Sequence, residues 1–204
     1  DGNFALGAIT GNTAVQPGGT LNLQPSVTSL NEPLTLGGSG VQGTGALQSY
    51  GDATLPNTVT LTRDTVVFVE TNRTLEITGA IGGAGDLIFE GPGKVILSGA
   101  APNTYTGTTW FKEGDAECRK TAAHGAIPGP LVVGDSDTNA QVYIELTLTN
   151  LPQLNALAPV VLHKLGMLRP KGDGAETLGS LAGEGRILFG IETNATAQIG
   201  RAHV

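Results

Sequence analysis

The chain has few of the residues that would point to a specific chemistry. It contains one cysteine, Cys118, among 204 residues, which excludes an internal disulfide and leaves a thiolate metal site without its second thiol. One cysteine is typical of exported bacterial proteins and of many cytoplasmic ones. Lys and Arg number 11 against 18 Asp and Glu, a net charge of −7. No basic cluster exists to neutralise a phosphate backbone, so we do not expect nucleic acid as a partner.

Long apolar runs, aromatic residues and histidine pairs are also scarce. No apolar run approaches the ~20 residues of a membrane helix, so we expect no membrane insertion by this segment. Aromatic residues make up 4% of the chain, which leaves little platform for stacking sugars. The histidines, His124, His163 and His203, form no His-x-x-x-His pair, and no Gly-x-Ser-x-Gly elbow exists. We therefore expect no catalytic residue, no cofactor and no bound metal.

Glycine is abundant, and it recurs in a short unit. The chain has 31 Gly, and the pattern Gly-x-Gly-x followed by apolar residues occurs at 83–89, 91–97 and 183–189, and in shortened form at 43–47. A glycine pair that permits positive φ, followed by three to five strand residues, is typical of a turn-strand unit. Such units, repeated without helices between them, bury their apolar faces by stacking, which favours a solenoid.

The alternation of apolar and polar residues indicates how one coil is built. It predicts strands at 59–61, 66–69 and 75–77, separated by polar corners at 62–64 and 70–73. Three strands in about 20 residues make one coil of a three-sided β-helix, and coils lie ~4.8 Å apart. Eight to ten such coils would form a rod of roughly 40–50 Å.

Residues 75–110 resemble a known family. The matching runs are LEITGAIGGAGDL at 75–87, GPGKVILSGA at 91–100 and NTYTGTT at 103–109. Together they are similar to the autotransporter-associated β-strand repeat (passenger-associated transport repeat) of bacterial surface and secreted proteins. Residues 41–47 and 176–185 resemble the segments that often flank that repeat.

The resemblance implies a right-handed parallel β-helix in a single elongated domain, outside the cytoplasm at the cell surface or in the medium. It brings no catalytic residue. We expect 1–198 to be a fragment of a longer passenger, with neighbouring coils as its partners and any export signal upstream of Asp1. Residues 199–204 resemble the translation of a sequencing adapter, so His203 is left out of functional arguments.

One acidic stretch has part of a calcium-loop pattern. Asp135, Asp137 and Asn139 place oxygen ligands at alternate positions. Ala140 then stands where the sharp turn requires glycine, and Leu146 where a bidentate glutamate belongs. The stretch is interpreted mainly as a solvated β-turn, and calcium stays as the alternative.

Three further stretches lead to local predictions. The letters of 38–43 match a dinucleotide fingerprint, but more glycine follows where a helix should begin, so we expect a glycine-rich turn. Leu151, Leu154 and Leu157 recur at a spacing of three, which predicts one helical turn at a corner. The acidic segment 115–118 replaces a family strand and makes its pairing uncertain.

Two functions compete with a purely structural one. Loop-tip Thr and Asn, with Tyr50, Tyr105 and Trp110, would form an adhesin-like surface for glycans or host surfaces, although Trp110 is equally suited to the core. Some β-helices instead cleave acidic polysaccharides with charged side chains gathered on one outer face. The candidates for such an enzyme are Arg63, Asp64, Glu70, Arg73, Glu76, Asp86, Glu90 and Lys94.

Overall fold

The structure is a computed structural model that describes residues 11–136, 140–147 and 151–188, and the backbone of 196–199. Asp137, Asn139 and His203 of the sequence predictions lie outside the described residues, as does 200–204. Among the described residues the model has 20 strands, β1 to β20, and one short 3-10 turn, Val41–Gly43. Every strand pair in it is parallel and links one coil to the next. The predicted all-β parallel β-solenoid is confirmed, with about eight turns.

The strands fall on three sides of the solenoid. The first side holds β1 (Thr13–Ala14), β3 (Leu34–Gly38), the start of β6 (Val59–Val69), β8 (Ile81–Gly83), β17 (Ala175–Leu178) and β20 (Thr196–Ile199). The second side holds β2 (Leu21–Leu23), β4 (Leu47–Ser49), the end of β6, β9 (Leu87–Glu90), β11 (Thr109–Phe111), β13 (Leu131–Val133), β15 (Pro159–Leu162) and β18 (Ser180–Gly183). The third side holds β5 (Ala53–Leu55), β7 (Thr74–Ile77), β10 (Lys94–Leu97), β12 (Gly114–Cys118), β14 (Val142–Thr147), β16 (Gly166–Lys171) and β19 (Arg186–Ile187).

The central coils repeat every 22 residues. Leu87 pairs with Thr109, and Thr109 pairs with Leu131. This period agrees with the predicted coil length of about 20 residues. The following coil is longer, because Leu131 pairs with Val160, 29 residues further on. The repeat thus has a regular part and one expanded coil.

Inward-facing side chains of successive coils stack into apolar columns. One column on the second side contains Val67, Phe89, Phe111, Val133 and Leu162, each 2% exposed or less. The rings of Phe89 and Phe111 stack with centroids 4.8 Å apart and planes 14° apart. Burial of each such side chain contributes about 1.5–3 kcal/mol. The stacked columns are the core that the repeated apolar positions predicted.

The glycine unit lets one coil lie directly on the next. Gly83 has φ +112°, and a Cβ there would lie 2.0 Å from the Leu61 carbonyl oxygen of the previous coil. A Cβ at Gly85 would lie 2.0 Å from the carbonyl carbon of Arg63. Both positions require glycine because backbone atoms occupy the space that a side chain needs.

Two local predictions are wrong in detail. The strands predicted at 59–61 and 66–69 are parts of the single strand β6, whose exposed corner at 62–64 bends without breaking the pairing. The predicted helical turn around Leu154 is absent. Leu154 instead forms a parallel bridge with Ile127, and Leu157 lies in the turn that follows, 89% exposed. A spacing of three therefore came from a strand contact next to a turn.

The acidic strand β12 pairs regularly. It is in register with β10 on one side and β14 on the other. Its Cys118 side chain is fully buried among the core residues, while Glu117 faces outward and accepts a hydrogen bond from Lys94 at 2.8 Å. Alternation is preserved, which explains why the unusual composition of this strand does not disturb its pairing.

Candidate functional site

The outer surface carries a groove along one edge of the second side. We call it the aromatic groove and define it by Gln48, Tyr50, Phe68, Glu90 and Lys112. These residues come from four successive coils and lie where the second-side strands end. A site of this kind arises from stacking, because no two of its coils are adjacent in sequence.

Strand register places the groove residues in one outward column. Gln48 pairs with Phe68, and Phe68 pairs with Glu90. Lys112 follows Phe111, which pairs with the residue before Glu90. Side chains alternate between the two faces of a strand, so the buried residues next to Phe68 turn its ring outward.

The Phe68 ring has a defined position. It lies over Gly91, where a Cβ would come within 2.7 Å of Phe68 Cε2. The ring of Tyr50 stands beside it, with centroids 6.3 Å apart and planes at 49°. Both side chains are half-buried. The pair thus forms a small aromatic wall whose orientation is set by the glycine beneath it.

A hydrogen-bond chain holds the upper end of the groove. Tyr50 Oη donates to Gln48 Oε1 at 2.8 Å. Gln48 Nε2 in turn donates to the Thr44 carbonyl oxygen at 2.7 Å and to Thr44 Oγ1 at 2.6 Å. Since Gln48 is 6% exposed, its amide is fixed in place. The Tyr50 hydroxyl is therefore oriented before any ligand arrives.

The lower end of the groove is a charged pair. Lys112 Nζ lies 3.2 Å from Glu90 Oε1, and about one third of each side chain is exposed (35% and 32%). Such a pair contributes roughly 0–1 kcal/mol to stability. Its two charges largely cancel, so this part of the groove is polar with little net charge.

Two cavities flank Phe68 and Glu90. One has a volume of about 350 Å³ and is lined by Gly43, Thr44, Gln48, Tyr50, Phe68 and Glu90. The other has a volume of about 360 Å³ and is lined by Phe68, Glu90, Gly91, Lys112, Glu113, Asp135 and Ala140. A third, of about 520 Å³, continues along the same edge beside His163. The concavity is thus extended along the solenoid axis.

A second polar cluster is buried inside the solenoid. Lys120 is fully buried, its Nζ donates to the Gly79 carbonyl oxygen at 2.8 Å, and burial lowers its pKa to about 8. Its backbone N–H donates to Gln153 Oε1 at 2.8 Å. Glu176 accepts from the backbone N–H groups of Gln153 and Leu154 at 2.7 and 3.2 Å.

The Glu176 carboxyl is buried, and burial raises its pKa to about 7, although the N–H donors and His124 act in the opposite direction. These side chains supply hydrogen bonds on the first side, where the strands around Gln153 are short. We interpret the cluster as structural, because its polar atoms are engaged with backbone groups.

The predicted metal site has little support among the described residues. Only Asp135 of its three ligands lies within them, and the described part of the chain contains no group of three or more His, Cys, Asp or Glu side chains arranged to hold a metal ion. Calcium binding at this loop stays a prediction that the structure does not test.

The three aromatic residues predicted to contact sugars are separated. Tyr50 lines the aromatic groove. Tyr105 is 1% exposed, its hydroxyl lies 2.5 Å from Thr109 Oγ1, and burial raises its pKa above the ordinary range. Trp110 is half-buried on the outer face, where its Nε1 donates to Asp86 Oδ2 at 3.4 Å. It is therefore not a core residue, and the predicted surface role of Tyr105 is wrong.

The eight charged residues considered for polysaccharide cleavage lie in different places. Glu90 is in the groove. Glu76 and Lys94 are on the outer face of the third side, paired with Arg119 and Glu117. The remaining five are at corners: Arg63, Asp64, Glu70, Arg73 and Asp86. Stacking the coils does not gather these eight at one point.

Sequence reasoning missed Phe68, Gln48 and Lys112. A signal for Phe68 was present, since it lies between the inward residues Val67 and Val69 and alternation alone turns it outward. Its neighbours across coils were not predictable, because their register depends on corner lengths in three separate coils.

Comparison with known proteins identifies no relative. No family model, no curated protein and no solved structure matches the chain. The resemblance to the autotransporter-associated repeat therefore stays a prediction that rests on the residues quoted above. Among the described residues, no helix has the length and apolar character required to cross a membrane.

Proposed function

We propose that this chain is a non-catalytic structural segment, a passenger or stalk of a bacterial surface or secreted protein that holds its outer face and loops away from the cell. The observation that carries the proposal is the in-register stacking of the 22-residue coils. Each coil contacts its neighbours along their full width, so the array forms a stiff rod whose length grows with coil number.

The same stacking supports a role in export. Coils that fold one after another outside the cell bury apolar columns as they form, and each buried coil opposes backward sliding of the chain. Neighbouring coils of a longer protein are the partners that this role requires. The extracellular location belongs to the same proposal.

A surface-display experiment tests this function. The chain is inserted between an epitope tag and a bacterial translocator barrel, and exposed epitope is measured on intact cells before and after protease treatment. We expect a protease-resistant exposed epitope from the native chain and much less from a Gly83→Ala variant, which cannot stack its coils. Equal exposure of the two proteins would contradict a role for coil folding in export.

The aromatic groove favours a second candidate function, an adhesin-like module that binds glycans. It combines a fixed aromatic ring with oriented polar groups along the rod. The polysaccharide-cleaving alternative has no comparable observation in its favour, because its eight charged residues lie on separate parts of the surface.

A further inference from the structure

We propose that the aromatic groove binds an uncharged linear polysaccharide, with the chain lying along the solenoid axis and one sugar ring against Phe68. This inference deepens the second candidate function and rests on it. The stalk function does not depend on the groove, so failure of the binding experiment leaves the display experiment unaffected.

The aromatic wall suits the apolar face of a sugar. Aromatic rings carry negative charge on their faces, and the axial C–H groups of a pyranose carry a small positive charge. The Phe68 ring is held over Gly91 and beside Tyr50, so little conformational entropy is lost when a ring stacks on it. The Tyr50 hydroxyl, oriented by Gln48, is placed to hydrogen-bond a sugar hydroxyl.

The shape of the groove suits a chain of sugars. Its column from Gln48 to Lys112 crosses four coils, which at ~4.8 Å per coil is roughly 14 Å. The two cavities of about 350 and 360 Å³ share Phe68 and Glu90 as a common wall. Each is at the lower end of the volume range of ligand pockets, about 300–1,000 Å³. Two shallow sites in line match consecutive units of one polymer.

The charges of the groove indicate which polysaccharide it binds. Glu90 and Lys112 neutralise one another at 3.2 Å, and Glu113 adds a negative charge at the rim of the second cavity. The whole chain carries a net charge of −7, so a polyanion is repelled. The other polar groups, the Gln48 amide and the Tyr50 hydroxyl, are uncharged. Neutral sugar hydroxyls are the ligands that these groups can bind.

Native affinity electrophoresis of the full 204-residue chain tests the site. Gels contain β-glucan, xylan, mannan or polygalacturonate, and retardation is measured against polysaccharide concentration. We expect retardation by at least one of the three neutral polymers, with little dependence on salt, and none by polygalacturonate. Absence of retardation by all three neutral polymers, or retardation by polygalacturonate alone, would overturn the proposal.

Two substitutions of one residue separate stacking from packing. Phe68→Ala removes the ring, while Phe68→Leu keeps an apolar contact with Gly91 and lacks an aromatic face. We expect each to weaken binding about tenfold, the effect of losing roughly 1.4 kcal/mol. Tyr143→Ala is the matched control, since Tyr143 also faces outward but lies on the third side, where its hydroxyl accepts from Arg169 at 2.9 Å.

The control should bind within about twofold of the native chain, and circular dichroism melts should show all three variants folded. Native binding by Phe68→Leu would mean that no ring stacking occurs. Equal losses in Phe68→Ala and Tyr143→Ala would mean that the effect is general destabilisation. Either result would refute the assignment of the groove.

Discussion

The coils through 53–133 and those through 134–188 form the same solenoid with different interiors. In the first region the coils repeat every 22 residues, and apolar columns such as Phe89 on Phe111 fill the core. The second region contains the 29-residue coil and buries Gln153 and Glu176. The comparison teaches that the solenoid tolerates irregular length on its first side.

The tolerance has a physical cause. Where a coil lacks a ladder strand, its backbone N–H groups need other acceptors, because an unpaired buried donor costs about 1–3 kcal/mol. Glu176 supplies two acceptor oxygens to Gln153 and Leu154, and Gln153 supplies one to Lys120. Buried polar side chains thus replace the missing strand, and they make the second region sensitive to pH.

The largest effect is expected at the glycine contact of the regular region. Gly83→Ala combines positive φ with a Cβ 2.0 Å from the Leu61 carbonyl oxygen. The added strain and overpacking should destabilise the fold by about 4–6 kcal/mol, measured by urea denaturation.

Gly43→Ala is the matched control, since Gly43 also has positive φ, +82°, but nothing lies within 4 Å of the added Cβ. It should cost about 1–2 kcal/mol. Equal losses in the two variants would show that backbone conformation, and not coil contact, requires glycine at Gly83.

The next effect compares two neighbouring residues of β11. Phe111 is 1% exposed and stacks on Phe89, whereas Trp110 faces outward and is half-buried. Phe111→Ala should cost about 3–5 kcal/mol, and Trp110→Ala about 1 kcal/mol or less. Thermal melts of the two variants measure the difference. A larger loss for the tryptophan variant would contradict the inward and outward assignment of this strand.

A pH experiment addresses the second region. Burial raises the pKa of Glu176 from 4.5 to about 7. Its contribution to stability is therefore fully present below about pH 4.5 and is lost as pH rises through 7, by about 3 kcal/mol in total. Glu176→Gln should remove this dependence, so that the difference in unfolding free energy between the native chain and the variant changes across that range. A constant difference would refute the assignment.

Glu117 provides the control of opposite sign. Burial raises its pKa, but Lys94 and Arg119 outweigh burial and lower it below its ordinary value. Its contribution is present above the ordinary pKa and is lost as pH falls. Glu117→Gln should therefore reduce stability most at neutral pH, whereas the effect of Glu176→Gln should be most favourable there.

The smallest effect compares one ion pair from each region. Lys94 lies 2.8 Å from Glu117, and the more exposed Lys171 lies 3.2 Å from Glu145. Lys94→Ala should cost about 0.5–1 kcal/mol and Lys171→Ala about 0–0.5 kcal/mol. Both losses should shrink in high salt. A loss that salt leaves unchanged would mean that the lysine stem, and not its charge, stabilises the strand.

Local patterns predicted much of the fold. The Gly-x-Gly units and the alternation around Leu75 and Ile77 indicated parallel coils of three strands, and the structure confirms them. The helical turn at Leu154 was wrong, because a single bridge to Ile127 leaves the same spacing of apolar residues as a helix. The candidate site was only partly predicted, since Tyr50 was identified and Phe68 was not.

The sequence by itself determined the fold class, because turn glycines and alternating strands act within a few residues of one another. Only the tertiary structure decided which outward side chains meet. Gln48, Phe68, Glu90 and Lys112 are about 20 residues apart in sequence and neighbours in space. Their register depends on the summed lengths of all intervening corners, and a change of one residue would turn each side chain to the opposite face.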